Sequence, residues 1–93
     1  MIRPAASIEK RESEKFPIGF RYRDPDLETG VTISSVSASC SPSGLTLGSA
    51  QYEDDSVWVW IEGGTSGTDY TVTFTTTFSD DKILIDDYVV RVR

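Results

Sequence analysis

The chain has no histidine and a single cysteine, Cys40, among its 93 residues. Without an imidazole there is no Ser-His-Asp triad, no Cys-His pair and no histidine ligand for a metal. One cysteine forms no internal disulfide and supplies no thiolate zinc site within one chain. That usage suits folding in a reducing cytoplasm. With no base to activate it, Cys40 is expected to serve as a small buried apolar group. Long apolar runs are missing as well: none approaches the roughly 20 residues that a membrane-spanning helix needs. The opening segment MIRPAASIEKRESEK has no continuous apolar stretch, so no secretory signal is expected.

Basic charge is scarce. Lys and Arg number 9 against 15 Asp and Glu, for a net charge of −6. The imbalance is uneven. Residues 1–15 carry four basic and three acidic side chains, net +1, and residues 16–93 carry five and twelve, net −7. An acidic body repels phosphate backbones and anionic bilayers, so neither nucleic acid nor membrane is an expected partner. It serves solubility, and it attracts basic protein surfaces.

What remains is a β pattern behind a polar arm. Residues 1–15 are rich in Glu, Lys, Arg and Ser, with Ile2 and Ile8 as their large apolar residues. They are expected to form a flexible arm, with at most a transient helix over Ser7–Lys15, that orders against a neighbour. From Phe16 onward the period is two. Phe16, Ile18, Phe20 and Tyr22 define the inner face of a strand, and Pro17 places that strand at a sheet edge or marks a strand start. Asp24-Pro25-Asp26 is turn chemistry. Val31–Cys40 changes phase near Ser34-Ser35, which predicts a β-bulge or a strand that switches sheets. Leu45 and Leu47 begin a short strand broken at Gly48, and Ala50 with Tyr52 forms another short piece. Ser56–Glu62 and Asp69–Ser79 are strands rich in β-branched and aromatic residues. Ile83–Arg93 is the last strand; Ile83 and Ile85 lie out of phase with Tyr88, which predicts a second bulge near Asp86-Asp87. Six or seven such strands without an amphipathic helix predict an all-β fold: an immunoglobulin-like β-sandwich over residues 16–93, with a small barrel as the alternative.

Candidate chemistry is thin. The carboxylate pairs Asp54-Asp55, Asp80-Asp81 and Asp86-Asp87 fall in turns or on a strand, where a glycosidase-like pair flanking a cleft is not expected. A calcium loop starting at Asp24 and Asp26 would need glycine at its sixth position and glutamate at its twelfth; Thr29 and Ser35 stand there. Gly63-Gly64-Thr65-Ser66-Gly67 lacks the Lys-Ser/Thr ending of a phosphate-binding loop and precedes a strand. No catalytic residue, metal or cofactor is therefore expected. The informative run is Trp58-Val59-Trp60. Alternation puts Val57, Val59 and Ile61 on one face and both tryptophans on the other. The aliphatic set suits a narrow interior, so Trp58 and Trp60 are expected outside, as candidate contacts. Ile2, Ile8 and the uncharged threonine face with Thr73 and Thr75, open to edge pairing with another chain, are further candidates.

Val57–Arg93 resembles the C-terminal half of small phage proteins called fiber-tail adaptors. The resemblance rests on Trp60, on Gly63, Gly64, Thr65, Gly67, Thr68 and Tyr70 (a Gly-Gly-Thr-x-Gly-Thr-x-Tyr run), and on Val90 and Val92 near the end. Val31–Leu47 fits more loosely, through a Val-Ser-rich strand followed by Gly44-Leu45-Thr46. Asp81 departs from the glycine usual in that hairpin, although aspartate tolerates the left-handed conformation. The resemblance implies a non-enzymatic virion protein that joins a tail, neck or baseplate component to a fiber. It implies several copies in a symmetric ring, assembled in the host cytoplasm. A capsid decoration or cement protein, and a carbohydrate-binding module with Trp58 and Trp60 as its platform, are the alternative readings.

Overall fold

A computed structural model of the chain describes residues 6–22 and 30–93. Eight strands follow in order: β1 (Ala6–Lys10), β2 (Lys15–Arg21), β3 (Ile33–Ser41), β4 (Leu45–Leu47), β5 (Gln51–Glu53), β6 (Ser56–Gly63), β7 (Asp69–Phe78) and β8 (Ile83–Val92). No helix occurs among the described residues. One sheet has the order β1-β8-β7-β3; the other has β2-β6-β4, with β5 also paired to β6. Adjacencies β8-β7-β3 and β2-β6-β4 are compatible with an immunoglobulin-type sandwich. Ile2 and the Asp24-Pro25-Asp26 turn, with its candidate calcium loop, lie outside the described residues.

The two sheets meet through the side chains that the period-two pattern points inward. Ile18, Val57, Val59, Ile61, Tyr70, Val72, Phe74, Phe78, Val90 and Val92 are all buried. The aromatic face of β2 closes the sandwich against the opposite sheet. Phe20 packs edge-on to Phe74 and Tyr88 at centroid distances of 5.4 and 5.5 Å, and Tyr22 packs on Phe78 at 5.3 Å. β2 is an edge strand, so the missing amide hydrogen of Pro17 is tolerated there.

The bulge expected near Ser34-Ser35 is present as a register shift between Ile33 and Ser35 against β7. The bulge expected near Asp86-Asp87 is not: β7 and β8 pair in one unbroken register from Asp69↔Arg91 to Thr77↔Ile83. Leu84, Asp86 and Tyr88 therefore face inward, while Ile83 and Ile85 face solvent. The physical reason is a partner for the buried carboxylate. The Tyr22 hydroxyl donates to Asp86 Oδ2 at 2.9 Å and lies 2.9 Å from Thr76 Oγ1, itself fully buried. A satisfied carboxylate inside and two isoleucines outside keep the register that the rest of β8 demands.

The N-terminal expectation also changes. Ala6–Lys10, within the segment expected to be a flexible arm, forms β1 and pairs in parallel with β8, from Ala6↔Tyr88 to Lys10↔Val92. Ile8 packs against the core. Lys10 is 1% exposed, and its ammonium donates to the carbonyls of Arg11 (2.7 Å), Gly63 (2.7 Å) and Glu12 (3.3 Å). The inward positions of β1 are thus Ala6, Ile8 and a lysine, a pattern that hydropathy alone does not mark as a strand.

Tyr22→Phe removes the hydroxyl shared by Thr76 and Asp86. It should cost about 1–3 kcal/mol in urea-induced unfolding, the usual penalty for depriving buried polar groups of a partner. An unchanged midpoint would show that this network carries no stability.

Candidate interaction surface

Strand β6 divides as its alternation requires. Val57, Val59 and Ile61 are buried in the core; Trp58 is half-buried and Trp60 is 45% exposed on the outer face. Opposite them on β2, Pro17 pairs with Trp60 and Gly19 with Trp58. Gly19 permits a very close approach of β2 to β6: a Cβ there would lie 1.9 Å from the Val57 carbonyl oxygen. Trp60 borders an open groove of about 460 Å³, with Leu47 and Gly48 along one side and Lys15, Thr46 and Glu62 at its end. Lys15 and Glu62 form an exposed pair at 3.9 Å, worth little energetically. The Gly48 amide donates to the Trp60 carbonyl at 2.9 Å, which fixes the loop after β4 against the tryptophan.

The other candidate residues lie elsewhere. Thr73 and Thr75 sit half-buried on the outer face of β7, in the opposite sheet, so the tryptophans and threonines belong to opposite sides of the sandwich. β7 is paired on both sides, to β3 and β8, and so offers no free edge; the edge pairing expected of its threonine face does not arise. Its outer face remains. Thr73 donates to Asp87 Oδ1 at 2.9 Å. Ile8 serves the core. What the sequence pattern did not single out is the pair Ile83 and Ile85, 58% and 62% exposed beside the threonine row. Their phase relative to Asp87 was the available signal.

The glycine-rich connection is a structural lock. Gly64 has φ +96°, and a Cβ on it would lie 2.8 Å from Val92 Cγ2. The Thr65 amide donates to the Tyr70 hydroxyl at 2.9 Å, while the Gly67 amide donates to the Val92 carbonyl at 2.8 Å. The segment before β2 grips the same loop. Lys10 holds the Gly63 carbonyl, and Glu12 Oε2 accepts from the Ser66 amide at 2.9 Å. Tyr70 plugs this end of the sandwich, so the run from Gly63 to Tyr70 holds the fold.

Among the described residues, the neighbouring carboxylates Asp86 and Asp87 are divided between the two faces of β8. Asp86 points inward and Asp87 outward, so they cannot act together across one cleft. Asp81 takes the left-handed conformation at φ +69° in the β7–β8 turn. A hydrogen bond from Arg21 holds the Asp55 carboxyl below the usual carboxylate range, with Ser56 adding to it. Burial pushes the Cys40 thiol up, which disfavours the reactive thiolate. No group of three or more metal-ligating side chains occurs among the described residues.

A family model described as Podophage GP4 fiber-tail adaptor protein gp77 matches residues 10–93. No curated protein matches the chain. The matched segment begins at Lys10 and takes in the tryptophan strand, the glycine lock and the final hairpin. The stretch Ala6–Glu9 of β1 precedes it.

Two substitutions test the lock. Gly64→Ala should destabilise the fold by about 1–3 kcal/mol through backbone strain and the clash with Val92. Lys10→Met should cost about 1–3 kcal/mol by leaving the Gly63 and Arg11 carbonyls without their donor. Both are measured by chemical denaturation; wild-type midpoints would remove the lock from the account.

Proposed function

We propose, for a chain that belongs to the podophage fiber-tail adaptor family, that the outer face around Trp58 and Trp60 docks on a neighbouring virion protein. The family makes this a phage structural protein that binds other virion proteins, and its place is the virion. The finer reading is ours: the chain joins a tail, neck or baseplate component to a fiber, in several copies around a symmetric ring, after folding in the host cytoplasm. The chain ahead of β1 adds to the contact.

One observation carries this reading. Trp60 stands 45% exposed above an apolar groove, on a strand that the sandwich already holds rigid. An exposed tryptophan is wasteful in a free protein and is the side chain most enriched at interface hot spots. Trp58 is half-buried, so the face presents one ring and a groove, which suits an inserted apolar side chain better than a two-ring sugar platform. The lock described above keeps the face fixed, so docking requires little ordering of the scaffold.

Trp60→Ala should leave the thermal midpoint near wild type and weaken docking by about 2 kcal/mol or more, a loss of roughly thirtyfold. The measurement is the number of copies of this chain, and of fibers, in particles that carry the variant. Full complements of both would contradict the reading. Copy number also separates it from capsid decoration: adaptor copies follow the ring symmetry, and decoration copies follow the capsid lattice.

A further inference from the structure

We propose that the outer face of the β1-β8-β7-β3 sheet, centred on Ile83 and Ile85, is a second docking surface. Its occupant is a virion protein other than this chain that presents an aliphatic patch rimmed by Lys or Arg. The inference rests on the adaptor reading and deepens it: an adaptor needs two contacts, and this face is the one opposite Trp60.

Ile83 and Ile85 are 58% and 62% exposed, more than any other large apolar side chain among the described residues. Register sets them beside threonines, Thr77 with Ile83 and Thr75 with Ile85, and sets Ser35 and Ser37 beyond those threonines on β3. These rows carry hydroxyls and methyl groups and no charge. β7 is paired on both sides, to β3 and β8; β8 is paired to β7 along Ile83–Arg91 and to β1 from Tyr88 onward, so what the centre of this face offers a partner is its side chains. Two aliphatic residues exposed beside these threonine and serine rows form a patch that water solvates poorly.

The rim identifies the partner's chemistry. Asp80 and Asp81 occupy the turn just before Ile83, and Asp87 follows Ile85 on the same face. Lys82 is folded back, 5.0 Å from the Phe78 ring and 4.0 Å from Asp80 Oδ2, so its charge is held within the hairpin end. An apolar centre with a carboxylate rim complements an aliphatic centre with a basic rim. A second copy of this chain would bring like carboxylates together, on bodies that each carry net −7 over residues 16–93.

The test uses the full chain in assembled particles. With Ile85 replaced by the photoreactive amino acid p-benzoylphenylalanine, irradiation should give an adduct to a different virion protein, at a segment bearing Lys or Arg. Adducts only to another copy, or only within the same chain, would overturn the proposal, as would no adduct. A paired comparison uses the double variant Ile83→Thr, Ile85→Thr, which extends the threonine row and keeps strand propensity; its thermal midpoint verifies folding. One of the two variants, this one or Trp60→Ala, should lose this chain and with it the fiber at least tenfold, and the other should lose the fiber alone while this chain stays in the particle. The same pattern of loss from both variants would overturn the second surface. Loss by the isoleucine variant alone would support this surface and sink the tryptophan reading. Loss by neither would sink both.

Discussion

The interior between two packed sheets is only about 10 Å thick, and it accepts one row of side chains from each. That limit governs everything else in this molecule. Every second residue of every long strand must stay outside, whatever its chemistry. On β6 the narrow interior takes Val57, Val59 and Ile61 and leaves the tryptophans on the surface. On β8 it takes Leu84, Asp86 and Tyr88 and leaves Ile83 and Ile85. A slip of one residue on β8 would bury the isoleucines, but it would also expose Val90 and Val92 and turn Arg91 inward. The register that results is the one in which a single carboxylate is inside and held by Tyr22.

The ends of the sandwich are secured by polar contacts to the backbone. Lys10 enters the interior without a carboxylate partner among its hydrogen bonds and caps three carbonyls, one of them on the glycine-rich connection. The carbonyls take the place of water around its three donor hydrogens. The glycine lock, the Tyr70 plug and the Glu12 contact to Ser66 then hold the β6–β7 connection against the C-terminal end of β8. The family match opens at Lys10, the residue at which this clamp begins.

The sequence pattern carried the sandwich because β2, β6 and β7 alternate without interruption and because Pro17 and the glycines punctuate at the right places. It carried the β3 bulge because Ser34-Ser35 shifts the apolar phase there. It failed where a polar residue occupies an inner position. Lys10 made β1 look like arm, and Asp86 made β8 look bulged, since hydropathy alternation assigns both to solvent. Partners far along the chain, Gly63 and Tyr22, reverse those assignments, and no local pattern shows them. The same misreading hid Ile83 and Ile85: given an outward phase for Asp87, their own exposure follows at once. The tryptophan face was legible because both of its alternating sets are apolar and only one is slender enough to fit inside.

The molecule that emerges is a two-sheet sandwich with an aromatic groove on one side and an aliphatic patch on the other. Its two faces have different chemistry, which is what the proposed role between unlike neighbours asks of it. The most direct measurement is hydroxyl-radical footprinting of the chain free in solution and again within intact particles. The account predicts that oxidation at Trp60 and at Ile83 and Ile85 falls together on assembly. Equal oxidation of both faces in the two states would contradict it.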